Sequence, residues 1–399
     1  MKYSILLPTR NRCHLLPYAI RSALALQHDD MEIVISNNSS SDATDEVIRG
    51  FSDDRIRYVQ PPEGMAITHH WNWLLGQAKG DWIFFLCDDD ALIPSALSWL
   101  GRAIDRYPDI QVFRFQSATY YYPDSVNRSD GNRLTVACGG LANGCRVYDG
   151  VQAFRECYRK YHAFAPRPQN SFISRRHYDR VIEVTGKAFH TYTPDVSAAL
   201  LNAALCGEFV TLPLPLRVWG HGKQSYGSGA RANPAKTTEL LEEYPEFKGA
   251  HEHSPFPELN TVGNLYYDAF ALVAKQMEPI VGKVEIDPRA YLERMHGEAL
   301  ALRDKGFDSY AGYVAEIERR LSELPKVETT RKPRGTRRSI GQWIRRLFPG
   351  QRGAESQRVE FRNGRSPYGD FENIHEAANV VQASLDQRGG AASALRRSA

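Results

Sequence analysis

Three consecutive carboxylates, Asp88, Asp89 and Asp90, stand one residue beyond the apolar run Trp82 to Leu86. A short, wholly apolar run of this kind, preceded by Lys79 and Gly80, reads as a buried strand. The acids therefore sit at a strand end. Adjacent like charges repel, and they are tolerated when solvated or when a cation sits among them. Carboxylate oxygens suit hard ions such as Mg2+ and Mn2+. An ion held there is placed to bridge diphosphate oxygens and to stabilise a leaving group. Taken alone, the same residues also read as a solvated acidic loop that leads into a helix near Pro94.

The elements that must position these acids are legible in the first hundred residues. Tyr3 to Leu7 reads as a buried strand stopped by Pro8, and Leu15 to Leu26 has helical periodicity. Met31 to Ser36 is a second strand. Asp42 can cap a helix from Ala43 to Phe51, with Asp45 and Glu46 in its first turn. Ile56 to Val59 is a third strand and Ile67 to Ala78 a helix. Strands and helices alternating at this spacing imply a mostly parallel sheet covered by helices on both faces. In such sheets ligands bind beyond the carboxyl ends of the strands, where the three aspartates lie.

Three segments together resemble the family-2 glycosyltransferases of the GT-A fold. They are Leu7-Pro-Thr-Arg-Asn-Arg12, Ile35-Ser-Asn-Asn-Ser-Ser-Ser-Asp-Ala-Thr44, and Phe84-Phe-Leu-Cys-Asp-Asp-Asp-Ala-Leu-Ile-Pro94 followed by Leu97. The last looks like that family's DxD region. The resemblance is good over about the first hundred residues, fair to Gly222 and absent beyond. It implies a nucleotide-sugar donor, with UDP-sugar the default. Pro8, Thr9 and Arg10 would line the nucleoside pocket, and Asn37 and Asn38 would face base and ribose. Asp88 and Asp89 would lie on the donor side, with Asp88 also counted towards the metal. Asp90 would ligate Mg2+ or Mn2+ through the diphosphate. The family often has Asp where this chain has Asn37. An amide can both accept and donate, so the base stays open. The other reading of Asn37 to Ser41 is a polar turn before a helix.

An inverting transfer needs a general base to take the acceptor hydroxyl's proton. Thr193-Pro-Asp195 opens a helix with Val196, Ala199, Leu200 and Ala203 on one face, and the resemblance implies a catalytic carboxylate near this point. Asp195 is the candidate, although Pro194 replaces an acid common in the family. A helix N-terminus also favours an ionised carboxylate, so a purely structural role at the helix start is the alternative. His221, in Trp219-Gly-His-Gly222, would complete the metal shell by the same resemblance. A packing role is the other reading. The tyrosines at 120 to 122 could stack on an acceptor sugar or pack the core.

Length and composition frame the whole. A chain of 399 residues accommodates a core domain plus appendages. The expected division is a GT-A-like domain over 1–225, a helical extension over 226–325, and a basic linker, amphipathic helix and tail over 326–399. The net charge is +3. Eight basic residues and no acid fall between Arg331 and Arg352, so the rest sums to 3 − 8 = −5. Ile340, Trp343, Ile344, Leu347 and Phe348 fall on one helical stripe beside those arginines, which reads as an anionic membrane-surface element or as a helix docked on protein. Nucleic acid is not an expected partner, because the basic residues form one short cluster. Six cysteines without CxxC spacing suggest a reducing compartment. No signal peptide or membrane span is evident, so a cytoplasmic enzyme peripheral to the inner membrane face is expected. Its acceptor would be a saccharide or a lipid-linked one, in surface polysaccharide or glycolipid synthesis. A sugar nucleotidyltransferase and a non-catalytic binding module of the same fold are the rivals. The first is disfavoured by the lack of glycine after the first strand.

Overall fold

The computed structural model describes residues 1–125, 131–137, 144–160, 165–223, 225, 252–254, 256, 259, 261–308, 310–324 and 358–387. The expected alternation is present: β1 (Tyr3–Thr9), α1 (Leu16–Leu24), β2 (Met31–Asn37), α2 (Thr44–Arg49), β3 (Ile56–Val59), α3 (Ile67–Gln77) and β4 (Trp82–Phe85). These four strands lie side by side in the order β3-β2-β1-β4, all parallel. Buried on both faces, β1, β2 and β4 are mostly apolar, as parallel strands require, and the buried Ser4 and Glu32 of β1 and β2 bond each other at 2.6 Å.

Beyond β4 the sheet turns mixed. The next elements are β5 (Ala91–Leu92), α4 (Ala96–Arg106), β6 (Val112–Tyr121), β7 (Arg133–Ala137), β8 (Arg146–Asp149), α5 (Gly150–Lys160), β9 (Ser171–Ser174), α6 (Arg175–Thr185), α7 (Pro194–Leu205) and β10 (Glu208–His221). β9 inserts antiparallel between β4 and β6. The long β10 runs parallel to β6 and antiparallel to β5 and β8. Pro213 and Pro215 interrupt its sequence pattern, since proline cannot donate to a ladder. The strand accommodates them with register shifts between Leu212 and Arg217. Helices cover both faces. On one, α1 and α4 pack on Ile5, Ile33, Phe84 and Phe115. On the other, α3, α6 and α7 pack on Leu6, Val34, Ile83 and Phe85. The architecture is thus mixed α/β, one central sheet covered by helices on both faces.

The helical extension comprises α8 (Val262–Val281), α9 (Pro288–Arg303) and α10 (Tyr310–Glu323). Between α9 and α10 the chain turns at Gly306, whose φ of 88° only glycine adopts readily. α8 packs Ala269, Phe270 and Val273 against α7, and Tyr267 against α9. Among the described residues no helix is long and apolar enough to cross a membrane.

Part of the chain beyond the expected boundary at 326 returns to the first domain. β11 (Arg358–Phe361) pairs with β7 at the sheet edge, and α11 (Ile374–Gln387) packs on α1 and β5. Phe371, Ile374, Ala377 and Val381 are fully buried in the core of the first domain. The helix near Asn373 to Leu385 is legible as an apolar period, but periodicity does not say where its apolar face docks. The basic stripe at 331–352 lies outside the described residues.

Candidate active site

β1 and β2 end in register, with Thr9 opposite Asn37, so the two polar loops that follow leave the sheet side by side. They are tied together. Asn11, at φ 53°, accepts from the Ser41 backbone N–H at 2.7 Å, and its own N–H donates to Ser40 Oγ at 2.9 Å. The Cys13 N–H donates to Asp42 at 3.0 Å, and Asn38 N–H to the Thr9 carbonyl at 3.0 Å. Pro8 and Arg10 are half-buried beside this seam. The asparagines are buried. Asn37 donates to the Tyr58 hydroxyl at 3.2 Å and accepts from Ser40 N–H at 3.0 Å. Tyr58 in turn donates to Asp45 at 2.5 Å. Asn38 exchanges two hydrogen bonds with the Met65 backbone, at 2.7 and 3.0 Å, and so pins the segment leading to α3.

The three aspartates follow β4 on this same edge, each held by a different part of the chain. Asp88 accepts from Thr9 Oγ1 at 2.8 Å. Arg12 Nη1 lies 3.7 Å from Asp88 and 3.9 Å from Asp89. Asp89 accepts from Ser225 Oγ at 2.6 Å. Asp90 is almost fully enclosed, accepting from Arg217 Nη1 at 3.1 Å and from Gly220 N–H at 2.9 Å. Gly220 must be glycine here, because a Cβ would lie 1.8 Å from the Asp89 carbonyl oxygen. Burial pushes the carboxyls of Asp88 and Asp90 well above the usual carboxylate range. Arg12 and Arg217 respectively pull them down, and Asp89 pushes both up. Among the described residues, the ligand atoms of Cys87, Asp89 and Asp90 lie within 4.8 Å of one another. Two hard carboxylates in that set fit a divalent cation of the Mg2+ or Mn2+ kind. His221 is not part of that set. Its ring stacks on Tyr121 at 5.3 Å and touches Trp219 at 4.2 Å.

Asp195 reaches the same edge by another route. The Phe85 N–H donates to the Pro168 carbonyl, which places the turn from Arg167 to Asn170 against the end of β4. Arg167 then donates to Asp195 at 2.8 Å. Asp195 opens α7, and its side chain is 21% exposed, enough to meet a substrate. Arg12, Arg217, Gly220 and Ser225 are partners that sequence reasoning did not assign. Arg217 had a signal: it is a single charge inside the apolar run from Phe209 to Val218, and arginine is almost never buried unless paired.

Residues 4–161 match the family model described as Glycosyl transferase family 2. This segment is a family-2 glycosyltransferase domain. It contains every strand-end loop described above except those contributed by Arg167, Asp195 and β10. The chain is 40% identical over 107 residues to a GalNAc(5)-diNAcBac-PP-undecaprenol beta-1,3-glucosyltransferase of Campylobacter jejuni, covering 25% of this chain and 33% of that protein. It is 28% identical over 160 residues to Glycosyltransferase GlyA of Streptococcus pneumoniae, covering 39% of this chain and 22% of that protein. The match thus spans a third or less of these relatives' own length. A solved structure of S. aureus TarS 1-349 aligns over 80% of this chain and 92% of its own, at 12% identity and a TM-score of 0.45.

Proposed function

We propose that the protein transfers a sugar from a nucleoside diphosphate donor to a hydroxyl of a saccharide or lipid-linked acceptor, with inversion. The observation that carries this reading is the seam itself. Thr9 from the end of β1, Asp88 to Asp90 from the end of β4 and Gly220 from β10 converge at the carboxyl ends of parallel strands, the first two within the segment that matches the family-2 glycosyltransferase model. Pro8, Thr9, Arg10, Asn37 and Asn38 line the nucleoside side in this proposal, with UDP the default nucleotide. Asn37 keeps one amide N–H and one carbonyl lone pair beyond its two protein partners.

Asp89 and Asp90, with Asp88 beside them, would hold Mg2+ or Mn2+. When bound, such an ion polarises diphosphate oxygens and stabilises the departing nucleoside diphosphate. His221 stays a candidate for the shell by the resemblance alone, since it lies outside the set formed by Cys87, Asp89 and Asp90. Asp195 accepts the proton of the attacking hydroxyl, oriented by its bond to Arg167. The lipid-linked acceptor is the more favoured class, because the Campylobacter jejuni relative is named for an undecaprenol-diphosphate-linked glycan. A location on the inner membrane face, with residues 331–352 touching anionic lipid, follows from the same proposal. Polysaccharide or glycolipid assembly is the corresponding setting.

A thermal-shift screen of nucleoside diphosphates and nucleotide sugars, with and without Mn2+, tests the donor site. A ligand at 100 times its dissociation constant stabilises a fold by about 2.7 kcal/mol. The expected result is a Mn2+-dependent shift for one base, lost in Asp90→Ala. No shift with any nucleotide in the folded wild type refutes the reading and favours a non-catalytic module. Release of pyrophosphate on turnover would instead point to a nucleotidyltransferase.

A further inference from the structure

The end of β10 presents a surface that the donor site does not use. From Val210 to Val218 the even-numbered residues of β10 are buried in the core under α1, α4 and α11. The odd-numbered residues, from Phe209 onward, face the side that α3, α6 and α7 cover. At the carboxyl end of the strand that side is open. Trp219 is 45% exposed, unusual for the residue with the most apolar surface to hide. It pairs across the ladder with Thr119 of β6, and His221 pairs with Tyr121. The His221 ring stacks on Tyr121 with an interplanar angle of 26°, and the Arg133 guanidinium lies 4.4 Å from the Tyr121 ring centre. The neighbours on the opposite face, Ala118, Tyr120 and Leu134, are buried. The outer row is therefore a shelf of aromatic faces edged by a hydroxyl and a cation.

The shelf is continuous with the proposed site. Arg217, two residues before Trp219 and on the same side of β10, holds Asp90, and its guanidinium lies 5.7 Å from the Trp219 ring centre. The same side of the sheet carries α7, which opens with Asp195. An occupant of the shelf thus lies next to the Arg217–Asp90 pair, on the face of the sheet that also carries the proposed base. Pyranose rings match this surface. One face of the ring is a patch of C–H groups that packs on an indole or phenol, and the rim is hydroxyls that reach polar side chains. We infer that Trp219, with Tyr121 and His221 beside it, is a binding platform for the saccharide of the acceptor. The inference rests on the proposed glycosyl transfer and names its acceptor subsite.

The test separates the two. Saturation-transfer NMR on the full chain, with maltotriose, laminaritriose and triacetylchitotriose as probes, reports ring protons held against the protein. At least one probe is expected to give signals in the wild type and in Trp219→Phe. In Trp219→Ala its binding should weaken about tenfold, the equivalent of ~1.4 kcal/mol and within the range of one aromatic contact. The Mn2+-dependent nucleotide shift should stay unchanged in Trp219→Phe, which keeps a ring beside Arg217, and absence of that shift in the wild type indicts the donor reading and leaves the platform to be judged by the NMR. No saccharide signal in the wild type, or equal binding in Trp219→Ala, overturns the platform. Trp219-dependent pelleting with anionic phospholipid vesicles, without saccharide binding, overturns it too and assigns the face to lipid.

Discussion

The side chains of the Asp90–Arg217 pair are both nearly inaccessible, at 2% and 8%. Arg217→Met keeps much of the side-chain volume and removes the charge. Among the described residues it leaves Asp90 enclosed with the Gly220 N–H as the one donor to its side chain. Breaking a buried pair from one side costs about 3–5 kcal/mol, since the remaining charge has lost its counter-ion. At roughly 2–4 °C per kcal/mol for a domain of 150–250 residues, the low end of that cost lowers Tm by about 6–12 °C. Asp90→Asn alone leaves a buried guanidinium whose remaining partners are the Ser117 hydroxyl, at 3.3 Å, and the Trp219 face. The double variant removes both charges, while the amide oxygen that replaces the carboxylate can still accept from Gly220. Its loss should be smaller than the sum of the single losses by about 2 kcal/mol or more, within the 0.5–3 kcal/mol range of contacting residues. Urea melts of the four proteins, without metal, measure this. Additivity within about 0.5 kcal/mol refutes the claim that the pair is one energetic unit.

Three further outcomes follow from the geometry. Asp195→Asn should lower kcat about 10²–10⁴-fold, as loss of a general base does, with the nucleotide thermal shift intact; unchanged turnover with a competent acceptor would leave Asp195 as a helix-start residue only. Gly220→Ala places a Cβ 1.8 Å from the Asp89 carbonyl oxygen, so the loop must move and the nucleotide shift should vanish while circular dichroism stays native. Burial holds His177 at a pKa of about 4, against its bond to Asn202. The unfolded chain binds this proton below pH 6.5 and the folded chain does so only near 4, so His177 costs stability progressively as pH falls through that window, up to about 3 kcal/mol. The Tm difference between wild type and His177→Gln should therefore shrink or invert from pH 7 to pH 4, and a constant difference would show that His177 titrates normally.

What could be read from the sequence divides along physical lines. β1, β2 and β4 were legible because parallel strands buried on both faces leave mostly apolar runs, and the loops after them because asparagine, serine and aspartate cluster there. Convergence of those loops followed from the ligand-binding rule for parallel sheets, not from any single residue. β6, β9 and β10 were not legible. β9 is four residues long, and the prolines in β10 look like breakers until register shifts absorb them. Arg217 and Gly220 act on Asp90 across more than 120 positions, and local patterning holds no record of such a pairing. The same limit hides where the last helix docks: Gln382 accepts from Ser95 Oγ at 2.6 Å, at the start of α4, although the two are 287 positions apart.

The counter-ions around the aspartates bear on how a donor would bind. Formally, Asp88, Asp89 and Asp90 contribute −3 and Arg12 and Arg217 contribute +2, which leaves −3 + 2 = −1 in a largely buried cluster. The raised carboxyl pKa values of Asp88 and Asp90 express that shortage of positive charge along with their burial. A divalent cation alone would overshoot to −1 + 2 = +1, and it would also compete with Arg217 for Asp90. A donor diphosphate, with a negative charge on each phosphate, would add its charges to a site already short of positive charge. Cation and diphosphate together leave the cluster no more charged than it is when empty. Each should therefore bind weakly alone and tightly with the other, a coupling of the usual 1–3 kcal/mol, or roughly 5–150-fold. Calorimetric titration of Mn2+ with and without UDP measures that factor directly. Equal Mn2+ affinity in both titrations would mean that the two ligands do not share the Asp88–Asp90 cluster, whatever their separate effects on stability.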